Sequence, residues 1–304
     1  MTDQRDGGIA WTDETWGPIR GCSRVTKSCI NCYAESIAKR FSGEGLAYEG
    51  LVRLSKKDGS PLGWNGVVKP VPKRLLDPLR WQRARKIFVN SMSDTFHENL
   101  PDSEIDKIMA VMGIARRHTY QSLTKRPQRM KEYLADPDLP RRLWEAAQEI
   151  WPRARSTPWP ETVGPLNPHR DFHPRNWPWV WLGVSVGDQP EAEDFVPILC
   201  EIDAALVWIS QEPQHGPIEY RDEWLKRIDW IVIGGESGHE ARNFEVAWAR
   251  RTIAQARAAK VPVFMKQLGK WPVGSDGWPI KISDGHGAKV EEWPEDLRVR
   301  EWPT

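Results

Sequence analysis

Seven short runs rich in β-branched and aromatic residues recur along this 304-residue chain, alternating with longer stretches of helical periodicity. The runs lie near Thr15–Ile19, Lys86–Asn90, Thr119–Leu123, Val180–Val186, Ala205–Ser210, Trp230–Gly234 and Pro262–Lys266. The spacing predicts helices over Cys32–Arg40, Asp102–Arg116, Pro127–Leu134, Arg141–Trp151, Glu191–Ile202, Ile218–Arg227 and Glu245–Ala259. Such alternation belongs to a parallel sheet wound with helices. The expected fold class is therefore α/β: a parallel (β/α) barrel or partial barrel of about six to seven units, forming one domain over residues 1–304.

Two segments break the rhythm. Residues 43–80 are rich in Gly and Pro, with a small strand pair expected around Trp64–Lys69, and residues 152–178 hold seven prolines without periodicity. Both read as loop insertions. Residues 269–304 are polar and turn-rich and read as an extension wrapping the barrel.

Three cysteines fall within eleven residues, Cys22, Cys29 and Cys32, at C-x6-C-x2-C spacing in GCSRVTKSCINCYAES. Three thiolates can hold three irons of a [4Fe-4S] cube and leave the fourth open to a small ligand. A zinc site would need a fourth ligand, for which His97, Glu35 and the distant Cys200 are the candidates. A disulfide is disfavoured, because the opening MTDQRDGGIAWTDE is polar and acidic and not a secretory leader. Cys200, inside FVPILCEI, reads as a small hydrophobe in a helix.

In a barrel of this kind the reactive face lies at the carboxyl ends of the strands. After the second run come Ser91, Ser93, Asp94 and His97; after the third, Lys125 and Arg126; within the fourth, Ser185; after the fifth, Gln211 and Glu212; after the sixth, Gly235 and Glu236; at the end of the last, Lys266. Each has a quieter reading. Asp94 suits an N-cap, Glu236 suits an ion pair with Lys266 or Arg242, and Lys125-Arg126 suits a solvated helix start. A hydrolytic metal site built from Asp94, His97, Glu212 and Glu236 is a further alternative.

Composition narrows the class. The 18 tryptophans, many followed by proline, fit packing of rigid loops better than base stacking. A net charge of +1 exerts no global pull on polyanions. No apolar run approaches the roughly 20 residues of a membrane span, which points to an intracellular protein with reduced thiols.

The cysteine segment after the first strand resembles that of the radical S-adenosylmethionine superfamily, whose usual spacing is C-x3-C-x2-C. More closely, the chain looks like a phage-associated family of gene products, on the blocks TWGPIRGCSRVTKSCINCYAE, FVNSMSDTFHE, SLTKRPQRM, WLGVSV, WISQEPQHGPI, DWIVIGGESG and VPVFMKQLGK. The resemblance implies a [4Fe-4S] cluster on Cys22, Cys29 and Cys32, S-adenosyl-L-methionine at its open iron and an external electron donor. It places the protein in the cytoplasm of a bacterial host or phage-infected cell, with a nucleic acid or nucleotide as one candidate substrate. Where the superfamily has Gly-Gly-Glu after its second strand, this chain has Ser91-Met92-Ser93-Asp94, so Ser93 and Asp94 are implied for the methionyl amine, with Ser91 beside them. Lys125, Ser185, Glu212, Gly235, Glu236 and Lys266 are implied for cofactor or substrate. The first gap here is six residues, and Asn31 stands before Cys32 where the superfamily usually has an aromatic.

Overall fold

A computed structural model describes residues 9–151 and 172–303. Most of the 152–178 insertion therefore lies outside the described residues. The chain falls into two compact units: Met1–Ser23, Ala34–Leu182 and Ile202–Leu206 in one, Arg24–Tyr33, Gly183–Glu201 and Val207–Thr304 in the other.

The elements of the first unit, in chain order, begin with strands β1 (Glu14–Trp16) and β2 (Ile19–Arg20) and helix α1 (Tyr33–Arg40), whose Tyr33 belongs to the second unit. Then come β3 (Val52–Leu54), β4 (Pro61–Trp64), β5 (Lys69–Pro70), α2 (Pro72–Leu75), α3 (Asp77–Arg80) and β6 (Lys86–Val89). They are followed by α4 (Asp102–Ile114), β7 (Thr119–Thr124), α5 (Pro127–Leu134), α6 (Leu139–Ile150) and β8 (Val180–Ser185), whose last residues belong to the second unit. The second unit continues with α7 (Gln189–Cys200), β9 (Leu206–Gln211), whose Leu206 belongs to the first unit, α8 (Asp222–Leu225), β10 (Trp230–Gly234), β11 (Asn243–Glu245), α9 (Val246–Ala258), β12 (Val263–Gln267) and β13 (Trp271–Val273).

Seven strands form one sheet in the hydrogen-bonded order β1-β6-β7-β8-β9-β10-β12, and the pairs β1/β6, β6/β7, β9/β10 and β10/β12 are parallel. Each strand neighbours the next strand of that sheet in sequence. This is the connectivity of a parallel βα barrel or partial barrel, whereas a doubly wound sheet reverses its order. Burial follows from the apolar runs. All of β8 and β10 is buried, as parallel strands covered on both faces must be. Among the described residues, no helix is long and apolar enough to cross a membrane.

Two sequence expectations are corrected. Trp64 and Lys69 sit on strands that do not pair with each other: β4 pairs antiparallel with β3, and β5 pairs antiparallel with β2. The helix expected over Ile218–Arg227 shrinks to α8; upstream of it the Ile218 carbonyl, which would accept the first helical bond, accepts from Gln255 Nε2 (3.1 Å) instead, and the N–H groups of Glu219 and Tyr220 donate to the side-chain oxygens of Gln189 (2.6 Å) and Gln255 (2.8 Å).

The tryptophans mostly serve packing: Trp11, Trp16, Trp177, Trp208, Trp230 and Trp293 are fully buried. In α4, Gly113 makes room for two aromatic rings, since a Cβ there would lie 2.5 Å from Phe172 Cζ and 2.8 Å from Trp177 Cη2. Helix propensity alone would favour Ala at that position by about 0.5–1 kcal/mol. Overpacking costs more, about 1–3 kcal/mol, so Gly113→Ala is expected to lower the urea midpoint; a raised midpoint would show that the rings yield freely.

At the other end of the sheet, residues 299–301 lie antiparallel along β12. Met265 N donates to Val299 O and Glu301 N to Val263 O, both at 2.8 Å, with Phe264 bridged to Arg300. Trp302 stacks on Trp230 with ring centroids 5.1 Å apart.

Candidate functional site

Three polar residues at the strand ends, His97, Arg126 and Glu236, are bonded to residues that flank the cysteines. In the first unit, β6 ends at Val89, Asn90 follows at φ 58°, and the chain turns through Ser93 and Asp94. Ser93 Oγ donates to Ile19 O (3.1 Å), and Ser93 forms a bridge to Gly21. Gly21 needs its glycine: φ is 95°, and a Cβ would lie 2.0 Å from Val67 O. Asp94 is buried, and its carboxylate accepts from Phe96 N (2.9 Å), Thr124 Oγ1 (2.8 Å), Lys125 N (3.1 Å) and Arg126 Nη1 (2.9 Å). Part of this is the cap-like turn that its sequence position suggested, and the rest holds Arg126.

Arg126 reaches the cysteine segment. Its Nη2 donates to Ser23 Oγ (2.7 Å) and Ser23 O (3.3 Å), while Nε donates to Glu98. Burial alone would lower the guanidinium's pKa, but Asp94, Glu98 and the charge of Cys22 raise it above its ordinary value. Burial likewise opposes ionisation of Glu98, yet the bond from Arg126 holds its carboxyl down at about 2. His97 is fully buried; its Nδ1 accepts from Asn99 N (3.1 Å), so the proton of the neutral ring sits on Nε2, 3.0 Å from Ser23 Oγ. Ser23 Oγ can then donate to Glu98 Oε1 (3.0 Å).

The second unit treats the two remaining cysteines in the same way. Cys29 closes a 3-10 turn, Lys27–Cys29, in which Ser28 is buried. Ser28 N and Oγ donate to Glu191 Oε1 (3.0 Å) and Oε2 (2.6 Å). Glu191 also accepts from Gly187 N (2.8 Å), and its own N–H donates to Asp188 Oδ1 (3.1 Å), so Asp188 caps α7 while Glu191 reaches back past the cap to the residue before it. Because the Ser28 hydroxyl proton goes to Glu191, His215 Nε2, 3.0 Å away, is the donor in the Ser28–His215 bond. Gly187 fits only as glycine: a Cβ would lie 2.3 Å from Ser28 Oγ and 2.5 Å from His215 Cδ2.

Between Cys29 and Cys32, Asn31 donates to Glu236 Oε2 (3.2 Å) and Glu240 O (2.6 Å). Glu236 is buried and accepts three more bonds from Arg242: N (2.8 Å), Nε (2.9 Å) and Nη2 (2.9 Å). Burial raises its pKa, but the Arg242 bonds outweigh that and hold the carboxyl below its ordinary value. Of the two ion-pair partners suggested for Glu236, Arg242 is the observed one; Lys266 pairs with Glu212. Ser185 Oγ donates to Glu212 O (3.0 Å). Gly235 is required by close backbone packing, since a Cβ would lie 2.2 Å from Leu268 O.

Several expected site residues thus have other partners here. Asp94, His97, Glu212 and Glu236, the set for a hydrolytic metal site, all have protein partners on their polar atoms. Ser91 and Lys125 are half-buried, and Lys125 N is bonded to Asp94. Ser23, Ser28, Asn31, Glu98, Glu191 and His215 were not anticipated as anchors; Asp188-Gln189-Pro190-Glu191 was readable as a helix start. Among the described residues, Asp188, Glu191 and His215 form the one set of three or more metal-type side chains with ligand atoms within 4.8 Å of one another. The cysteines are not in that set. None of the four is in a disulfide; Cys200 is half-buried at the end of α7, and burial pushes its thiol up to about 11.

No curated protein and no solved structure matches the chain. A family model described as "Protein of unknown function (DUF5131)" matches residues 6–293, nearly the whole length, and the chain belongs to that family.

Proposed function

We propose that this is an iron–sulfur protein that holds a [4Fe-4S] cluster on Cys22, Cys29 and Cys32 and acts as a radical S-adenosylmethionine-type enzyme, with a nucleic acid or nucleotide as the substrate class to test. The observation that carries the reading is the fixing of the residues beside the cysteines. Ser23 is held by Arg126 and His97, Ser28 by Glu191 and His215, and Asn31 by Glu236. Buried carboxylates and a buried guanidinium are costly to fold around. Placing them beside a cysteine-bearing loop makes physical sense if the loop must keep a fixed shape for a ligand.

Three thiols are the donor type that such a cluster takes. All three thiol-bearing residues are half-buried, none is in a disulfide, and Gly21 and Gly187 supply the tight backbone approaches that the flanking turns need. When bound, such a cluster supplies an open iron for the methionyl amine and carboxylate and, given an electron from an external donor, breaks a carbon–sulfur bond of S-adenosylmethionine. The chain's own residues do the positioning: Arg126 and Glu236 fix the segment, and Glu212 with Lys266 offers a half-buried ion pair for orienting a polar ligand.

Anaerobic reconstitution tests this. Wild-type protein is expected to retain iron and sulfide in equal amounts and to show sulfide-to-iron charge-transfer absorption, while Cys29→Ala loses most of both. Given S-adenosylmethionine and a reductant, the wild type is expected to release 5′-deoxyadenosine. One equivalent of zinc without iron or sulfide would overturn the cluster; a cluster that never cleaves S-adenosylmethionine would overturn the radical chemistry alone.

A further inference from the structure

The first unit carries a second feature that the cysteine segment does not use. Residues 34–86 hold twelve Lys and Arg against five Asp and Glu, although the whole chain has a net charge of only +1. Seven of the twelve, against Asp77 alone, lie in residues 69–86; residues 34–64, where α1 and the β3/β4 ribbon share buried Tyr48, Leu51, Val52 and Trp64 and buried Glu35 accepts from Trp64 N (3.3 Å), carry five against four. Among the described residues the ribbon stands as a two-stranded sheet. Arg53, Lys56 and Lys57 are exposed along it and make no ion pair among the described residues. Leu54 and Leu62 are 58% and 50% exposed on the same ribbon. Nearby, Arg40 lies over the exposed ring of Phe41 at 5.4 Å.

Packing does not account for a hairpin that turns leucines and unpaired cations outward. The connection is stiff, however. Ser55 N donates to Ser60 O (2.8 Å), Gly59 N to Ser55 O (2.9 Å), and Asp58 Oδ1 accepts from Ser60 N (3.1 Å) and Oγ (2.7 Å). The cations are therefore carried on a shape that needs little ordering when it binds. A two-stranded ribbon is one of the elements that the roughly 12 Å major groove of a duplex admits, and arginine and lysine bind phosphates while exposed apolar or aromatic groups meet bases or sugars. The same cations would meet an anionic lipid surface as well, so vesicles are the competing arm of the test.

We infer that this ribbon and the adjoining end of α1 bind the phosphate backbone of a nucleic acid, with Arg53, Lys56 and Lys57 as its main charge contacts. The inference does not use the cluster and stands or falls separately from it. Full-length protein is titrated into fluorescein-labelled single- and double-stranded oligonucleotides over a range of salt, and into vesicles of phosphatidylserine and phosphatidylcholine. Wild type is expected to bind at least one oligonucleotide with a steep salt dependence. In R53Q/K56Q/K57Q, affinity is expected to fall at least about tenfold and the slope of log affinity against log salt to drop by about 2–3, near 0.7–0.9 per lost contact. The variant's unchanged circular dichroism and melting temperature keep a folding defect out of the comparison. Removing three cations of the second unit, in K226Q/R257Q/K260Q, is expected to leave binding intact. Failure of wild type to bind either oligonucleotide, equal affinity in the ribbon variant, equal loss in the control variant, or capture by vesicles instead of nucleic acid would each overturn the inference.

Discussion

Asp94→Ala is expected to destabilise the protein by about 3–5 kcal/mol, the usual cost of removing one partner of a buried ion pair. The carboxylate and the guanidinium of Arg126 are only 7% and 8% exposed, so water cannot replace the lost partner. The substitution also strips acceptors from Thr124 Oγ1 and the backbone N–H groups of Phe96 and Lys125, and an orphaned buried donor costs about 1–3 kcal/mol in its own right. For a chain of this size the melting temperature should fall on the order of 10 °C. Asp94→Asn keeps the shape but not the charge and should lie between. Hydrogen exchange supplies the local readout: with Arg126 released, Ser23 loses its anchor, and the amides around residues 21–23 should exchange faster. Were Asp94 instead reserved for a ligand's amine, Asp94→Ala would leave the melting temperature unchanged and weaken only ligand binding.

Acid should loosen the fold well before the carboxylates titrate. Burial lowers the pKa of His97, His118, His173 and His215, with smaller contributions from nearby arginines. The folded state thus binds fewer protons than the unfolded chain, and stability rises with pH in the window where they differ. The contribution is fully present above the unfolded histidine value near 6.5 and drains away as pH falls through it toward the depressed folded values, at about 1.4 kcal/mol per unit of difference. Glu98, held at about 2, and Glu236 act in a separate window. Their contribution is present above the unfolded carboxylate value and is lost only as pH falls below about 4.3. Urea midpoints should therefore decline between pH 8 and pH 5.5. His173→Gln should flatten that decline: in the neutral ring Nδ1 accepts from Arg175 N (3.1 Å), leaving Nε2 to donate to Leu134 O (3.1 Å). A midpoint independent of pH over this range would refute the account.

The sheet was legible because six of its strands are unbroken β-rich runs and lie within a few residues of where those runs predict them; the first run, Thr15–Ile19, is split at Gly17-Pro18 into β1, which joins the sheet, and β2, which pairs with β5. The small elements were not, because tertiary bonds decide them: Gln255 takes the Ile218 carbonyl ahead of α8, and β4 and β5 found partners upstream instead of each other. At the site, position along the chain identified Asp94, Arg126 and Glu236 as polar groups at strand ends. It gave no sign that they face Ser23 and Asn31, since those bonds join residues 103 and 205 positions apart. Gly187 carried no local signal at all; its role appears only once Ser28 and His215 are packed against it.

The strip at residues 299–301 has a consequence for synthesis. An outer strand of a parallel sheet is a template that any passing extended peptide can join, and β12 receives its cover only after some thirty further residues have been translated. Until then the nascent chain offers other copies an adhesive border, so production at high ribosome density should favour misassembly. Shortening the chain before Val299 should make that hazard permanent, visible as aggregation of an otherwise intact sheet.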